Sequence, residues 1–333
     1  MTGRSMGVAG PRWSTIEQPS ALDPRAPAAE RIAELWWILL AIGTLAFAIV
    51  AGLLLIVAVR GRRARRDAGL GEVPGSVPDR VANRWIVSGG VVLPAVLLTA
   101  ALALSVTTMQ RLPREVPAGG LVIQVVGYQW WWSVHYPGEH VTVANEIHIP
   151  VGERVELQLR SADVIHSFWV PQLHGKLDLT PDDTNRLVIE AREEGTFRGA
   201  CAEFCGLQHA KMGLLVVAHS PDAFASWLAA QRLPAAEPAD DVARRGRDVF
   251  AENACARCHT IRGVTDTAPN AGPDLTHLAS RREILAGTAA NAAAELFTWL
   301  HDPAVLKEGT AMPSFDLSDA DLRALVTYLE NLE

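Results

Sequence analysis

Residues 199–212 gather soft metal-binding side chains into one short segment. Cys201 and Cys205 are four residues apart, His209 follows after four more, and Met212 after a further three. Thiolate, imidazole and thioether ligands favour copper over hard cations that prefer oxygen. A single blue-copper centre uses one cysteine, so two cysteines in this segment better fit two copper ions that share two bridging sulfur atoms.

A pair of coppers needs a second imidazole, and the best candidate is His166, 35 residues before Cys201. Two other interpretations stay open at this point. Cys201 and Cys205 could form a structural disulfide, or the two cysteines could hold zinc tetrahedrally together with His166 and His209. Zinc needs neither Met212 nor Glu203, whereas the copper interpretation uses both.

The sequences D-V-I-H-S-F at 163–168 and C-A-E-F-C-G-L-Q-H-A-K-M at 201–212 together resemble the dinuclear copper (CuA) domain of the cytochrome c oxidase subunit II family. The resemblance implies two bridging thiolates, one histidine for each copper, a weak axial thioether and one backbone carbonyl. These ligands are, respectively, Cys201 and Cys205, His166 and His209, Met212, and Glu203. It also implies that the Glu203 carboxylate binds magnesium at the interface with oxidase subunit I, with Asp178 as a candidate neighbour.

Three consecutive tryptophans, 130–132, follow Gln129. Aromatic side chains of this kind commonly fill a β core or a rim, and we expect that for at least two of the three. The stretch also resembles the aromatic segment of the oxidase subunit. That resemblance implies that Trp130 lies over the copper centre where electrons enter.

A second motif, Cys255-Ala-Arg-Cys258-His259, is the C-x-x-C-H signature of covalent haem attachment. Two thiols at this spacing can bond the two vinyl groups of one haem while the histidine reaches the iron. Met312 lies between glycine and proline turns and is the candidate sixth ligand, and a histidine–methionine pair is used for electron transfer. His277 and His301 remain alternatives. Residues 240–333 resemble a small class I cytochrome c.

Two uncharged segments, 35–59 and 85–109, are each 25 residues long, enough to cross about 30 Å of hydrocarbon as a helix. Seven arginines oppose three acidic residues between them, at 60–84. Positively charged loops stay in the cytoplasm, so we expect the metal-binding segments on the opposite, periplasmic side of a bacterial inner membrane. The composition also fits a membrane protein, with 49% hydrophobic residues, and the net charge of −7 argues against nucleic acid as a partner.

From Leu121 onward, short alternating segments such as 154–160 indicate β-strands separated by turns. The predicted fold is therefore a membrane-anchored multidomain chain. It comprises a mobile tail (1–34), a transmembrane hairpin (35–109), an all-β cupredoxin-like CuA domain (118–232), a linker (233–239) and an all-α cytochrome c domain (240–333). The cupredoxin-like fold follows from the family resemblance.

The resemblance implies the electron-entry subunit of a haem–copper terminal oxidase of the caa3 type, with CuA, covalent haem c and magnesium as cofactors. Its partners would be oxidase subunits I and III, a cytochrome c or membrane cytochrome as donor, and the lipid bilayer. A CuA subunit of a nitric oxide reductase and, less well supported, a copper chaperone are the alternatives. One position departs from the family: aligned on Pro94, Val87 stands where many such subunits carry a glutamate used for proton uptake.

Overall fold

The computed structural model describes residues 20–67, 78–265 and 271–333. It divides into two compact units, one formed by Glu30–Leu112 and the other by Met1–Ala29 together with Pro113–Glu333. The first unit is helical. The second unit contains two separate hydrophobic cores, one in a β domain and one in a small helical domain.

Within the part of the chain that the structure describes, two helical segments are long and apolar enough to cross a membrane. The first is helix α1 (Pro27–Asp67). The second consists of α2 (Asp79–Val87), a π-helical turn (Ser88–Val92) and α3 (Leu93–Gln110). Their most apolar windows have mean hydropathies of 2.8 and 2.2, and no residue in these windows is buried inside the protein. The predicted pair of candidate transmembrane helices is confirmed.

Both helical segments extend beyond the predicted ranges 35–59 and 85–109. The prediction followed the uncharged stretches, whereas helical hydrogen bonding continues into the charged flanks on either side. The π-helical turn lies just before Pro94, whose ring nitrogen carries no hydrogen and so removes one regular helical hydrogen bond. Residues 68–77 of the predicted basic loop lie outside the described residues.

The β domain is a sandwich of two five-stranded sheets. One sheet has the order β3-β2-β1-β5-β8 and the other β4-β10-β9-β6-β7. The strands are β1 (Val122–Tyr128), β2 (Trp131–Tyr136), β3 (Val141–Ala144), β4 (Glu146–Pro150), β5 (Val155–Ser161), β6 (His166–Trp169), β7 (Leu177–Leu179), β8 (Asn185–Ile189), β9 (Gly195–Cys201) and β10 (Gly213–His219). Helix α4 (Pro221–Gln231) follows the last strand.

The sandwich core follows from alternation along the strands. In β5, Val155, Leu157 and Leu159 are fully buried, while the residues between them are not. Trp132 and Tyr136 are the largest fully buried side chains of the domain. This two-residue period is the one expected for strands with one face on the core, and it confirms the predicted cupredoxin-like β fold.

Part of the predicted mobile tail is packed against the β domain. Ala26 and Ala29 belong to its hydrophobic core, and the Arg25 amide donates to the Gln172 carbonyl at 2.8 Å. The interpretation of 1–34 as one mobile tail therefore does not hold for residues 20–34, because small apolar side chains there fill a gap in the core and helix α1 has already begun. Residues 1–19 lie outside the described residues.

The helical domain contains α5 (Asp241–Glu252), α6 (Ala293–His301), α7 (Pro303–Leu306) and α8 (Asp319–Glu330), with a short hairpin of β11 (Glu283–Ile284) and β12 (Ala289–Ala290). Helices α5 and α8 pack closely at Gly246. The side chain of Ser318 caps α8 by accepting from the Asp321 amide at 3.1 Å. The helical fold of this domain is confirmed, and the two-residue strands of the hairpin are an addition to it.

Candidate copper and haem sites

The soft ligands of residues 199–212 converge with His166 at one end of the sandwich. The sulfur atoms of Cys201 and Cys205 are 3.8 Å apart, and both cysteines are free. His166 Nδ1 lies 3.9 Å from Cys201 Sγ, and His209 Nδ1 lies 3.7 Å from Cys205 Sγ. Each sulfur therefore has its own imidazole.

Two further donors complete the arrangement. Met212 Sδ lies 3.8 Å from Cys205 Sγ, and the Glu203 carbonyl oxygen lies 3.2 Å from Cys201 Sγ. The donor atoms of His166, Cys201 and Cys205 lie within 4.8 Å of one another, whereas His209 is outside this group and beside Cys205. A single tetrahedral ion would need all four donors around one point. The spread of the donors instead fits two metal positions that share the sulfur pair.

The register of the second sheet brings these residues together. Strand β6 begins at His166 and pairs with β9, so that Phe168 lies opposite Cys201, the last residue of β9. The Cys201 amide donates to the Met212 carbonyl at 2.9 Å, just before β10 begins. The eleven residues between Cys201 and Gly213 must therefore loop back over the end of the sheet, which places both cysteines and His209 beside His166.

The electrostatics of the sulfur pair fit a cationic metal centre. The hydrogen bond with the Cys205 thiol is the largest influence on Cys201 and lowers its pKa to about 3, with His166 acting in the same direction against burial. The same hydrogen bond raises the pKa of Cys205. One proton leaves this pair readily and the second is held, so full ionisation needs added positive charge, which bound metal ions supply.

Sequence reasoning missed two residues that support the ligands. Asp163 Oδ1 lies 2.7 Å from His166 Nε2, and its Oδ2 accepts from the Gln129 amide at 2.7 Å. The Gln129 side chain in turn donates to the Cys205 carbonyl at 2.7 Å. Asp163 was part of the D-V-I-H-S-F motif, and its position three residues before a histidine was the only signal for this role. For Gln129 no such signal existed.

The three tryptophans separate into different environments. Trp132 is fully buried in the core, and Trp131 stacks on Tyr128 with ring centroids 4.6 Å apart. Trp130 is half-buried, and its ring nitrogen donates to the Cys205 carbonyl at 2.9 Å. Of the three, Trp130 has the ring that is hydrogen-bonded to the copper-binding segment.

The Glu203 carboxylate is partly exposed. Its nearest charged partner is Lys176, whose Nζ lies 3.4 Å from Glu203 Oε2 and 3.9 Å from Asp178 Oδ1. The two carboxylates named for a magnesium site therefore flank one ammonium group, and this group supplies positive charge where a divalent cation would lie.

The haem-attachment motif lies on a single turn of 3₁₀ helix at Cys255–Arg257, after α5. His259 Nδ1 donates to the Pro273 carbonyl at 2.8 Å, and this contact holds the ring in place. A Cβ on Gly272 would lie 2.6 Å from His259 Cε1, so only glycine permits this close approach. Burial lowers the pKa of His259, which favours the neutral imidazole that binds iron.

Cys255 of the motif is one of several partly buried apolar side chains that pack against the helical core. They belong to the packing shell of the helical core and include Cys255, Leu275, Phe297, Trp299, Met312 and Leu317. His277 is engaged elsewhere, since its two ring nitrogens lie 2.7 and 3.0 Å from the carbonyl oxygens of Glu333 and Leu233. His301 stacks on Phe297. These residues and the two thiols fit a covalently attached haem.

Comparison with known proteins matches both halves of this arrangement. Residues 138–219 match the sequence profile of the cytochrome c oxidase subunit II periplasmic domain, and residues 243–333 match that of cytochrome c. Cytochrome c oxidase subunit 2 of Alkalihalophilus pseudofirmus is 36% identical over 95% of this chain and 92% of its own length. The Bacillus subtilis protein of the same name is 32% identical over 73% of this chain and 70% of its own length.

Among solved structures, the periplasmic domain of subunit II of cytochrome oxidase from Bradyrhizobium japonicum is 31% identical, with a TM-score of 0.34. The alignment covers 35% of this chain and 97% of that one. The match to the Alkalihalophilus pseudofirmus protein covers 95% of this chain, and this range includes the candidate membrane helices and both cofactor motifs. This chain belongs to the cytochrome c oxidase subunit II family, in the form that carries a fused cytochrome c domain.

Proposed function

We propose that this chain is the electron-entry subunit of a haem–copper terminal oxidase and carries electrons from its own cytochrome c domain to a dinuclear copper centre. The observation that carries the proposal is the sulfur pair at 3.8 Å with a separate imidazole beside each sulfur, in a chain that also holds a C-x-x-C-H motif. The relatives are oxidase subunits, which favours dioxygen over nitric oxide as the acceptor of the partner subunit.

Six groups would hold the coppers. These groups would be the Cys201 and Cys205 thiolates, the His166 and His209 imidazoles, the Met212 thioether and the Glu203 carbonyl. In the helical domain, Cys255 and Cys258 would attach the haem covalently, and His259 and Met312 would hold its iron. When bound, these groups supply reversible one-electron chemistry with little change in geometry. The protein contributes fixed ligand positions, through the Asp163 and Pro273 contacts described above.

Trp130 would be the residue through which electrons reach the copper centre. Its ring is hydrogen-bonded directly to the backbone of Cys205, and its own carbonyl accepts from Lys307 of the helical domain at 2.9 Å. The residue therefore connects the helical domain and a bridging cysteine by two short contacts.

The membrane setting and the other subunits follow from the family. We infer that α1 and the α2–α3 segment cross a bacterial inner membrane, with both cofactor domains on the periplasmic side, because the connecting residues are rich in arginine. Oxidase subunits I and III, and a cytochrome c or membrane-bound cytochrome as external donor, are the partners we propose. The magnesium at Glu203 and Asp178 stays a prediction that requires Lys176 to move away.

Metal analysis of the purified full chain tests the copper assignment. We expect two coppers and one haem c per chain, with an electron spin signal delocalised over both coppers. Cys201→Ser or Cys205→Ser should abolish that signal and leave the haem absorption unchanged, whereas Cys255→Ala should do the reverse. One zinc ion and no copper in protein produced with both metals available would contradict the proposal.

Trp130 is tested by replacing it with leucine and following haem and copper separately by stopped-flow absorbance. Haem c should be reduced by an external donor at the unmodified rate, and the following reduction of copper should slow at least tenfold. Trp131→Leu is the matched control, because its ring stacks on Tyr128 and makes no described contact with Cys205. Reduction of copper before haem c in the unmodified protein would contradict the proposed direction.

A further inference from the structure

Lysine is rare in this chain and is confined to the surroundings of the copper ligands. Of 30 lysines and arginines, only three are lysines, namely Lys176, Lys211 and Lys307. Lys176 contacts Glu203, Lys211 directly precedes Met212, and Lys307 contacts Trp130. A chain that otherwise uses arginine for its positive charges thus places a compact ammonium at these three positions.

Lys307 differs from the other two because it is buried, with only 5% of its surface exposed. Its ammonium donates to the carbonyls of Trp130 at 2.9 Å and of Leu285 at 3.0 Å. No carboxylate of the described residues forms an ion pair with it. Removing an ammonium from water is costly, and this burial lowers the pKa of Lys307 to about 7. The group is tolerated here because its hydrogens point at acceptors. The two carbonyls therefore fix where Lys307 can lie.

The residues before and after Lys307 are hydrogen-bonded to the loop 202–212, which carries candidate copper ligands. The Leu306 carbonyl accepts from Lys211 Nζ at 2.7 Å, and the Glu308 carbonyl accepts from Gln208 Nε2 at 2.7 Å. Three consecutive residues of the helical domain are thus hydrogen-bonded to Trp130 or to the loop that carries the copper ligands. They lead directly to the turn with Met312.

The β11–β12 hairpin of the helical domain also contacts the β domain near the copper ligands. The Gly213 amide, next to Met212, donates to the Ala286 carbonyl at 2.8 Å. Leu285, whose carbonyl is bonded to Lys307, is in the same turn. The Lys307 ammonium therefore joins three backbones: its own segment, the hairpin turn, and the tryptophan that lies beside Cys205.

We propose that Lys307 is a positioning residue whose buried ammonium fixes the cytochrome c domain on the backbone of Trp130, in the orientation from which electrons pass to the copper centre. This inference rests on the proposed function for its role in transfer, but not for the docked contact itself. Lysine suits the position because its ammonium is compact and its three hydrogens can point at carbonyls on different segments, whereas the guanidinium of arginine is a flat fork.

The contact between Lys307 and the Trp130 carbonyl is tested on the unmodified full chain by amine acylation and mass spectrometry. The assignment of modified sites is simple because the sequence has only three lysines. Lys176 is half exposed on its side chain and should react readily, and Lys307 should react at least tenfold more slowly. Equal rates for Lys176 and Lys307 in the folded protein would overturn the proposal. This result does not depend on copper or haem chemistry, so it stands apart from a failure of the proposed function.

The role in transfer is tested with Lys307→Met, which removes the charge and keeps a linear side chain. After rapid reduction of haem c, transfer to copper should slow at least tenfold and become sensitive to solvent viscosity, because docking now limits the rate. The haem and copper spectra should be unchanged. Arg323→Met is the matched control, because Arg323 is an exposed cation on α8 whose side chain pairs with Asp319. Its transfer rate should equal that of the unmodified protein.

A purely structural role for Lys307 would lower thermal stability and leave the transfer rate per folded molecule unchanged, and that outcome would overturn the proposal. If Lys307→Met does not fold, Lys307→Gln retains one donor group and provides the same comparison. If either folded variant transfers electrons from haem c to copper at the rate of the unmodified protein, Lys307 has no positioning role.

Discussion

The Asp163 carboxylate holds the ring of His166, with Oδ1 2.7 Å from Nε2. This contact directs the opposite ring nitrogen, Nδ1, toward Cys201 Sγ. The second carboxylate oxygen accepts from the Gln129 amide, one residue before Trp130. One side chain thus orients a proposed copper ligand and anchors the backbone next to the proposed electron entry point.

Asp163→Asn should weaken copper binding. The amide removes the negative charge that makes the His166 ring a better donor, and it cannot accept at both positions. Loss of such a supporting contact typically costs ten- to a hundredfold in metal affinity. Competition with a copper chelator measures the change in the full chain, and Asp182→Asn, at an exposed carboxylate away from the site, is the control. An unchanged affinity would contradict the role given to Asp163.

The candidate ligands of both cofactors could be proposed from the sequence because each motif holds chemically unusual residues at fixed spacing. The strands were predictable where side chains alternate, as in β5. Lys307 was not predictable, since nothing in its local sequence shows that its ammonium meets the Trp130 carbonyl 177 residues away. The early start of α1 was missed for a similar reason. Nothing in the local sequence shows that Ala26 and Ala29 pack into the core of the β sandwich.

Acidification should destabilise the β domain through a stacked histidine pair. His148 Nδ1 lies 2.8 Å from His219 Nε2, and Trp227 stacks on His148. Burial lowers the pKa of His148, and burial with the nearby charges of His148 and Arg282 lowers that of His219 to about 4. Glu146 also faces the pair, 3.3 Å from His148 Nε2.

Histidine in an unfolded chain has a pKa of about 6.5, so between pH 6.5 and 4 the unfolded state binds more protons than the folded one. The free energy of unfolding should therefore fall as pH falls through this window, by at most about 1.4 kcal/mol per pH unit for each histidine and by less for the partly exposed His219. Denaturant titrations at several pH values measure this slope. His219→Gln should flatten it and His140→Asn should not, and equal slopes in all three proteins would contradict the assignment.

Gly272→Ala should disturb the proposed bond between His259 and the haem iron. The new methyl group would lie 2.6 Å from His259 Cε1 and 2.9 Å from Nδ1, so the ring must turn and its hydrogen bond to Pro273 must lengthen. The haem should stay attached through its cysteines while ligation weakens, which carbon monoxide binding to the reduced protein detects as increased affinity. Gly138→Ala has no atom within 4 Å and is the control. Unchanged carbon monoxide affinity would show that the hydrogen bond from His259 to Pro273 is not needed for binding of the iron.

Gly246→Ala should destabilise the cytochrome c domain, because Gly246 is where α5 touches α8. A Cβ there would collide with the Ala324 carbonyl oxygen and would lie 2.6 Å from Tyr328 Cβ. Alanine favours a helix over glycine by about 1 kcal/mol, but overpacking costs about 1–3 kcal/mol or more. The cost of the clash should exceed the gain in helix propensity, because the new methyl group meets a backbone oxygen that cannot rotate away.

The expected result is a fall in the midpoint of thermal unfolding, followed by haem absorption in the full chain, of roughly 4–8 °C for each kcal/mol lost by a domain of this size. Asp248→Ala is the matched control, because Asp248 is exposed on the same helix and its loss removes no packing. The haem site should loosen with the helices, since Cys255 and Met312 pack against the core that α5 and α8 form. A variant as stable as the unmodified protein would mean that the helices can separate at little cost, and that this core does not hold the haem ligands in place.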